Sequence, residues 1–519
     1  MTSLSARLDR AVAAVQQAFP GPGGALAVLQ DGEVLVRHAW GYASAERRIA
    51  FTPRTLFRLC SITKQFTCGV ILDAFPDPGV LDQDVKARLP RLESQAPGAL
   101  HLCHNQSGLR DYWAVAMLHG APAESAFGDR EAAQVIADTR SLQFEPGTRY
   151  SYVNQNFRLL GDIAQDRLDE GFADLLRRRL FEPAGMETAF LAADTRAMPD
   201  GTEGYEGSQA AGFRAAENRI VWTGDAGIGA SLDDMIAWER MIDATRDDEG
   251  SIYRRLSDPV TFADGGEAAY GFGLARGEEL GRAVTGHGGA LRGWRSHRLY
   301  APAERVSVVV MFNHLSDAHE AAVGLLAAVL DAPRPERSPP GEGEPAWLGA
   351  YVEPETGLSV RIEVAEAGQV RLRYGHRPEL LDLTRDGAAS EAARLRPAAD
   401  GLWLDRIGEN QSTRLIARGG EATRDVAGRY RCEELGAELT VVDAGGVLHG
   451  GFSGFLGQGR MERLDPIAGD LWALPCPRAL DHTPPGDWTL AFRRDSSGRA
   501  VEAQVGCWLA RRLTYAKLD

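Results

Sequence analysis

The 519-residue sequence has six cysteines (Cys60, Cys68, Cys103, Cys432, Cys476 and Cys507) and no Cys-x-x-Cys pair. It therefore offers no zinc framework, and the thiols read as small buried hydrophobes in a reducing compartment rather than as disulfides. Basic residues are outnumbered, 57 against 72, and the net charge is −15. With no Lys/Arg-rich tract to offset that field, nucleic acid and anionic membrane surfaces are excluded as expected partners. The longest apolar run, AAVGLLAAVL at 321–330, is far shorter than the roughly 20 residues a membrane-spanning helix needs. At the N-terminus Arg7, Asp9 and Arg10 interrupt what would have to be the apolar stretch of a signal peptide, so the segment reads as a short amphipathic helix and the location as cytoplasmic. No His-Glu-x-x-His motif accompanies His101 and His104, and GDAGIGAS at 224–231 lacks the Lys-Ser/Thr ending of a phosphate loop. No metal and no cofactor are expected.

What is present is a chain long enough for two to four domains, with 44% hydrophobic residues, 58 glycines and 26 prolines. Residues 1–330 mix helical and strand signals. ALAVLQDGEVLVRHAWGYA (25–43) reads as two strands about an Asp31-Gly32 turn, and VSVVVMFN (306–313) as a well-buried central strand. FADLLRRRLFEPAGM (172–186) reads as a helix stopped near Pro183 and Gly185. Ser231, with Asp234 three residues on, reads as the cap of another. Strands at both ends with helices between them predict an α/β sandwich whose termini meet in one sheet. DAPRPERSPPGEGEP (331–345) is a Pro-rich linker. Beyond it only short alternating strands recur. A weak repeat (Gly349 to Tyr351, then Gly428 to Tyr430) predicts two antiparallel eight-stranded barrels, over 346–419 and 420–519.

Three segments carry chemistry. In FRLCSITKQF, Ser61 and Lys64 stand three apart just inside a predicted helix, which puts both side chains on one face near the N-terminal N–H groups. The apolar flanks should enclose Lys64 and lower its pKa, making it a proton acceptor. In FEPGTRYSYVNQNF, Tyr152 and Asn154 alternate after the Pro146-Gly147 turn and can project into one cleft. A phenol beside a lysine ammonium should have a depressed pKa, so its phenolate is a second candidate acceptor for the serine proton. In VTGHGGALRGW, His287 precedes Gly288 and Gly289, which allow a bound chain close to the backbone. Arg292, Arg295 and Arg298 read as solvated or paired charges.

In this order the segments resemble the penicillin-recognising serine hydrolases, the family of class C β-lactamases and serine DD-peptidases. Ser61 and Lys64 match its nucleophile motif, Tyr152 and Asn154 its Tyr-x-Asn, and His287 to Gly289 stand where many relatives have Lys-Thr-Gly. Within the family the whole chain is similar to the D-aminopeptidase branch. That resemblance implies a β-lactamase/transpeptidase-like α/β domain, an antiparallel sheet with helices on both faces, followed by the two barrels. It also implies release of N-terminal D-residues, D-alanine preferred, from peptides, amides and esters through a serine acyl-enzyme. It implies as well a homodimer, inhibition by β-lactams, and a loop of the last barrel (476–486, with Asp481 at its tip) reaching the cleft. Ser61, Lys64, Tyr152 and His287 would be catalytic. Asn154, Gly288, Gly289, Asp225 and Asp481 would bind substrate, either aspartate being a candidate acceptor for its free amine. Cys60 in place of the usual glycine, and Asn105 in place of a common threonine, are the departures. An esterase or D-Ala-D-Ala carboxypeptidase of the same fold is the alternative enzyme. A non-catalytic barrel protein would show itself by dispersed Ser61, Lys64 and Tyr152 or an open apolar barrel.

Overall fold

The computed structural model describes residues 3–332, 345–366, 368–375 and 377–518, so most of the Pro-rich segment 331–345 lies outside the described residues. Among the described residues no helix is long and apolar enough to cross a membrane.

The N-terminal hairpin (Gly23–Gln30 and Glu33–Ser44) and the strand Val306–Phe312 meet in one antiparallel sheet, with Gly24 opposite Phe312 and Gln30 opposite Val306. The sheet has eight strands, and its other flank runs through Trp294–Ala301, Arg282–Leu291 and Leu274–Glu279 to the two-residue edge strand Tyr270–Gly271. Both faces are buried, which explains the β-branched run Val308–Val310. Val308 and Val310 pack under the helices Leu4–Ala18 and Ala318–Leu330, while Val309 and Met311 face the opposite core. That core surrounds the helix Thr63–Ala74, whose residues 63–72 are all buried.

Local signals shape the remaining helices. Ser231 and Asp234 form a reciprocal cap on Leu232–Thr245. The 172–186 helix ends, as expected, at Gly185, whose φ of 72° is left-handed, and it passes through a π-type turn over Arg177–Phe181 just before Pro183.

The strands from Gly349–Val352 to Gln411–Arg418 form a closed eight-stranded barrel, sealed where Ala350 pairs with Arg418. Its interior is filled by Val360, Ile362, Leu372, Leu381, Leu404 and other buried side chains.

The second predicted barrel is a correction. The C-terminal strands form a ten-stranded sheet that is open, not closed and not eight-stranded. Segment 462–468 pairs with Leu448–Gly454 through Glu462–Arg463 and with Leu471–Leu474 through Asp465–Ala468, and its second ladder shifts register at Pro466. Proline cannot supply the ladder N–H that continuous closure needs. The helix Tyr112–Leu118 fills the opening, with Ala114 and Leu118 in the same apolar cluster as Phe452, Trp488 and Tyr515. Leu456 N–H donates to the His119 carbonyl (3.2 Å), so the glycine-rich hairpin lies on that helix. Strand alternation marks which residues face inward, but it does not register a plug supplied from another part of the chain.

A fully buried carboxylate joins the barrel to the open sheet. Glu409 accepts from Arg406 (3.0 Å), Arg511 (2.9 Å) and Trp508 Nε1 (2.9 Å), and its backbone carbonyl accepts from Tyr150 N–H (3.3 Å).

Candidate active site

Ser61 sits in a tight turn, Cys60–Ile62, that leads directly into the Thr63–Ala74 helix. Cys60 holds φ at 54°, the left-handed region that favours glycine, so the turn before the serine is strained. Its thiol donates to the Arg58 carbonyl (3.2 Å) inside the core. One helical turn on, Lys64 is completely buried, and its Nζ touches three oxygens: Ser61 Oγ (3.0 Å), Asn154 Oδ1 (2.9 Å) and the Asp225 carbonyl (2.7 Å). Burial brings the Lys64 pKa down to about 8, against the pull of Asp225 and Asp111.

The orientation of Asn154 follows from its neighbour. Asp111 Oδ2 accepts from both the Asn154 N–H (2.7 Å) and Nδ2 (2.9 Å), and a carboxylate cannot donate, so Oδ1 of Asn154 must face the lysine. Asp111 also caps the Tyr112–Leu118 helix through Trp113 N–H (3.0 Å), and its own N–H bonds the Leu509 carbonyl (2.9 Å) of the C-terminal sheet. Burial raises the Asp111 pKa to about 6.

Tyr152 lies beside this group, with Lys64 Nζ 4.9 Å from its ring centre. Its pKa, however, is moved opposite to the expectation from sequence: burial drives the phenol well above 10, outweighing the opposite pull of Ser61. Tyr152 is therefore a neutral hydroxyl. Lysine charge alone does not predict the sign, because enclosure disfavours both charged forms.

His287 Nδ1 contacts the Gly288 carbonyl (2.6 Å), which can only accept, so Nδ1 carries the proton. Nε2 is then the acceptor for the Tyr270 hydroxyl (3.0 Å). Burial, with the nearby Lys64 charge adding to it, lowers the imidazole to about pKa 3, so His287 is neutral at pH 7. Its ring centre is 6.2 Å from that of Tyr152. Among the described residues the strand beyond it, 287–291, pairs with no strand on the side where 282–286 meets Leu274–Glu279, which leaves that edge available to a bound chain. Gly289 is required by close approach: a Cβ there would lie 2.3 Å from the Leu59 carbonyl and 2.2 Å from Ser296 Oγ.

The two candidate amine acceptors occupy different places. Asp225 is buried with its carboxylate on the Tyr112 hydroxyl (2.6 Å) and Thr223 N–H (3.0 Å), and it meets Lys64 through its backbone. Asp481 lies in the 475–487 segment, where its carboxylate accepts from Thr195 Oγ1 (2.5 Å), Arg219 N–H and Ile220 N–H (both 3.3 Å). Burial raises the Asp481 pKa to about 6. Arg292 holds this segment against the catalytic sheet. Its N–H donates to the Asp481 carbonyl (2.5 Å) and its guanidinium to the Ala479 and Glu217 carbonyls. Next to Asp481, His482 lies 5.6 Å from Trp113, whose ring also packs on Trp222.

Of the two other arginines, Arg298 forms a fully buried bidentate pair with Glu239 (2.6 and 2.8 Å), and Arg295 bonds the carbonyls of Leu291 and Trp294 (2.7 Å each). His101 Nδ1 accepts from Gly98 N–H (3.0 Å), and His104 packs edge-on to Phe272. Sequence reasoning missed Asp111, Tyr112, Tyr270 and the clamping role of Arg292. For Asp111, the helix-capping pattern before YWAVAML was the available signal.

Comparison with known proteins agrees with this architecture. Residues 8–332 match the β-lactamase family model, so fold and site define a serine hydrolase of the β-lactamase class. Residues 341–516 match the model described as D-aminopeptidase, domain B. The chain is 62% identical to a D-aminopeptidase of Gluconobacter oxydans over 99% of both sequences, and 46% identical to one of Brucella canis over 98% of both. It belongs to the D-aminopeptidase family. Among solved structures, a penicillin-binding protein homologue from Pyrococcus abyssi matches 86% of this chain and 98% of its own at 18% identity and a TM-score of 0.54. The D-amino acid amidase of Ochrobactrum anthropi matches 64% and 99% at 20% identity and 0.51. These two are likenesses of fold.

Proposed function

We infer that the protein is a D-stereospecific aminopeptidase that releases N-terminal D-residues, D-alanine above all, from peptides, amides and esters through an acyl-enzyme on Ser61. The carrying observation is the set of contacts made by Lys64. A neutral amine has two N–H donors and one lone pair. The Asn154 and Asp225 oxygens take the two donors, so the lone pair faces Ser61 Oγ. With a pKa of about 8, a useful fraction of Lys64 is in that form at neutral pH.

The reaction follows from these placements. As Oγ bonds to the substrate carbonyl carbon, its proton passes to Lys64. The Ser61 N–H and an N–H near Gly289 or Ala290 stabilise the oxyanion. The C–N bond breaks as the Tyr152 hydroxyl gives its proton to the departing nitrogen and is replenished from Lys64. Neutral His287, its tautomer set by Gly288 and Tyr270, holds that side of the cleft without adding charge. Water then attacks the ester carbonyl as Lys64 accepts its proton, and the C–Oγ bond breaks as Lys64 returns that proton to Oγ. Every proton has a named holder, and no cofactor or metal enters the scheme.

Specificity for a free amine rests on Asp481, the carboxylate carried by the 476–486 loop, with Gly288 and Gly289 lining the acyl chain's path. Asp225 serves by placing Lys64. β-Lactams, which present the same electrophile, are expected inhibitors. The reading extends to a cytoplasmic homodimer without nucleic-acid or membrane partners, supported by the family resemblance and the acidic charge. The test is rapid quenching of turnover with a D-alanine ester, followed by mass spectrometry. A D-alanyl adduct on the peptide containing Ser61 is expected, and an adduct elsewhere, or none under burst conditions, contradicts the mechanism.

A further inference from the structure

The carboxylate that turns Asn154 toward Lys64 is itself held by the C-terminal sheet. There the hairpin of Ala500–Cys507 and Ala510–Lys517 turns through Trp508 and Leu509, and it offers two backbone carbonyls to the catalytic domain. Leu509 accepts from the Asp111 N–H (2.9 Å), and Arg511 accepts from Arg110 Nε (2.8 Å). Arg110 is buried, and its Nη1 reaches on to Glu434 Oε1 (3.0 Å) and to the carbonyl and hydroxyl of Ser141 (3.1 Å each). Gln155, next to Asn154, grips the same segment: its Oε1 accepts from the Tyr112 N–H (2.9 Å) and its Nε2 donates to the Arg110 carbonyl (2.5 Å). Asp111 is thus tied through both of its chain neighbours and through its own N–H. The turn that carries Leu509 is pinned to the closed barrel, because Trp508 and Arg511 both donate to Glu409.

We propose that Arg110 is a positioning residue for the catalytic lysine: with the Leu509 and Arg511 carbonyls of the C-terminal sheet it fixes Asp111, and through Asp111 the face that Asn154 turns to Lys64. The proposal rests on the reading of Lys64 as the base given above. An amide carries a donor and an acceptor of nearly the same shape, so Asn154 presents oxygen to Lys64 only while an acceptor holds its Nδ2. That contact is 2.9 Å, and a retreat of Asp111 by about 0.6 Å would stretch it to the limit of a hydrogen bond. The amide would then be free to turn its N–H groups to Lys64, and the lysine lone pair would no longer be directed at Ser61 Oγ. The Arg110 guanidinium meets four acceptor atoms, and its planar fork fixes direction as well as distance, which a single backbone contact does not.

The test is a double-mutant cycle on kcat with D-alanine p-nitroanilide as substrate. Arg110→Met should lower kcat about tenfold in the otherwise unaltered protein, the scale on which a small misplacement caused far from the chemistry acts. In an Asn154→Ala background no amide is left to direct, and Arg110→Met should then cost about twofold or less. A purely structural role would give the same factor in both backgrounds. Glu434→Ala removes one anchor of the guanidinium at a partly exposed position. It should repeat the pattern with a loss of about threefold, and it carries the test if Arg110→Met does not fold. Equal factors in the two backgrounds, or an undiminished kcat in a folded Arg110→Met protein, would overturn the positioning role and leave Lys64 as the base. Near-normal kcat in Lys64→Met would overturn both.

Discussion

The titration of Lys64 gives the most quantitative consequence. An ordinary lysine near pKa 10.4 is about 0.1% neutral at pH 7.5. At about 8, Lys64 is roughly one-quarter neutral there. The gain is a few-hundred-fold in the competent form, or about 3 kcal/mol at 1.36 kcal/mol per pKa unit. The sign is fixed: burial lowers the pKa, so the base becomes available as pH rises toward 8 and is lost as pH falls below it. With D-alanine p-nitroanilide, kcat/KM should rise about tenfold from pH 6 to 7 and bend over near 8, where the substrate's own α-amine (about 7.7–8.0) begins to lose the charge that Asp481 recognises. Below pH 6 the slope should steepen as Asp481, raised to about 6 by burial, becomes protonated. Asp111→Asn supplies the control. Removing a negative charge that holds the Lys64 pKa up should move the rising limb to lower pH. The cost is an amide N–H facing existing donors, about 1–3 kcal/mol of stability, so rates are read well below the reduced Tm. A rate independent of pH between 6 and 8, a limb near 10, or an alkaline shift in Asp111→Asn would refute the assignment of Lys64 as the base.

Ser61→Ala should lower kcat by about 10⁴-fold or more with Tm nearly unchanged, because only a hydroxyl is removed; residual turnover near the normal rate would exclude Ser61. Deleting 477–486, or Asp481→Asn, should raise KM for free-amine substrates. The deletion should also admit N-acetylated ones, and unchanged specificity in parallel assays with both substrates would remove the recognition role. Arg298→Met leaves Glu239, on the Leu232–Thr245 helix, buried and unpaired against the central sheet, and should cost about 3–5 kcal/mol by denaturant unfolding. Glu409→Gln disturbs the junction of barrel, open sheet and Tyr150 and should both lower Tm and reduce kcat; an unaltered melting curve would deny Glu409 its junction role.

The readable parts of this protein are those whose chemistry is local. Ser61 and Lys64 share a helix face at fixed spacing, and Ser231 with Asp234 announces a cap. The β-branched run at 308–310 marks a strand buried on both faces. Contributions made by backbone or by distance were not readable. Asp225 reaches Lys64 through a carbonyl, which any residue possesses, and the Arg292 clamp on Ala479 joins parts of the chain far apart in sequence. Asp111 looks like a simple cap until the fold sets Asn154 against it. The Tyr152 phenol went the wrong way because its environment is set by enclosure rather than by the neighbouring lysine. The open C-terminal sheet has the same kind of origin, since its gap is filled by a helix more than 300 positions earlier in the chain.

The most direct test of the central claim compares hydrolysis of D-alanine and L-alanine p-nitroanilides by the purified protein, with the Ser61→Ala variant alongside. The account predicts turnover of the D-enantiomer, little or none of the L-enantiomer, and loss of the D-activity in the variant. Equal rates on the two enantiomers, or undiminished D-activity without Ser61, would contradict it.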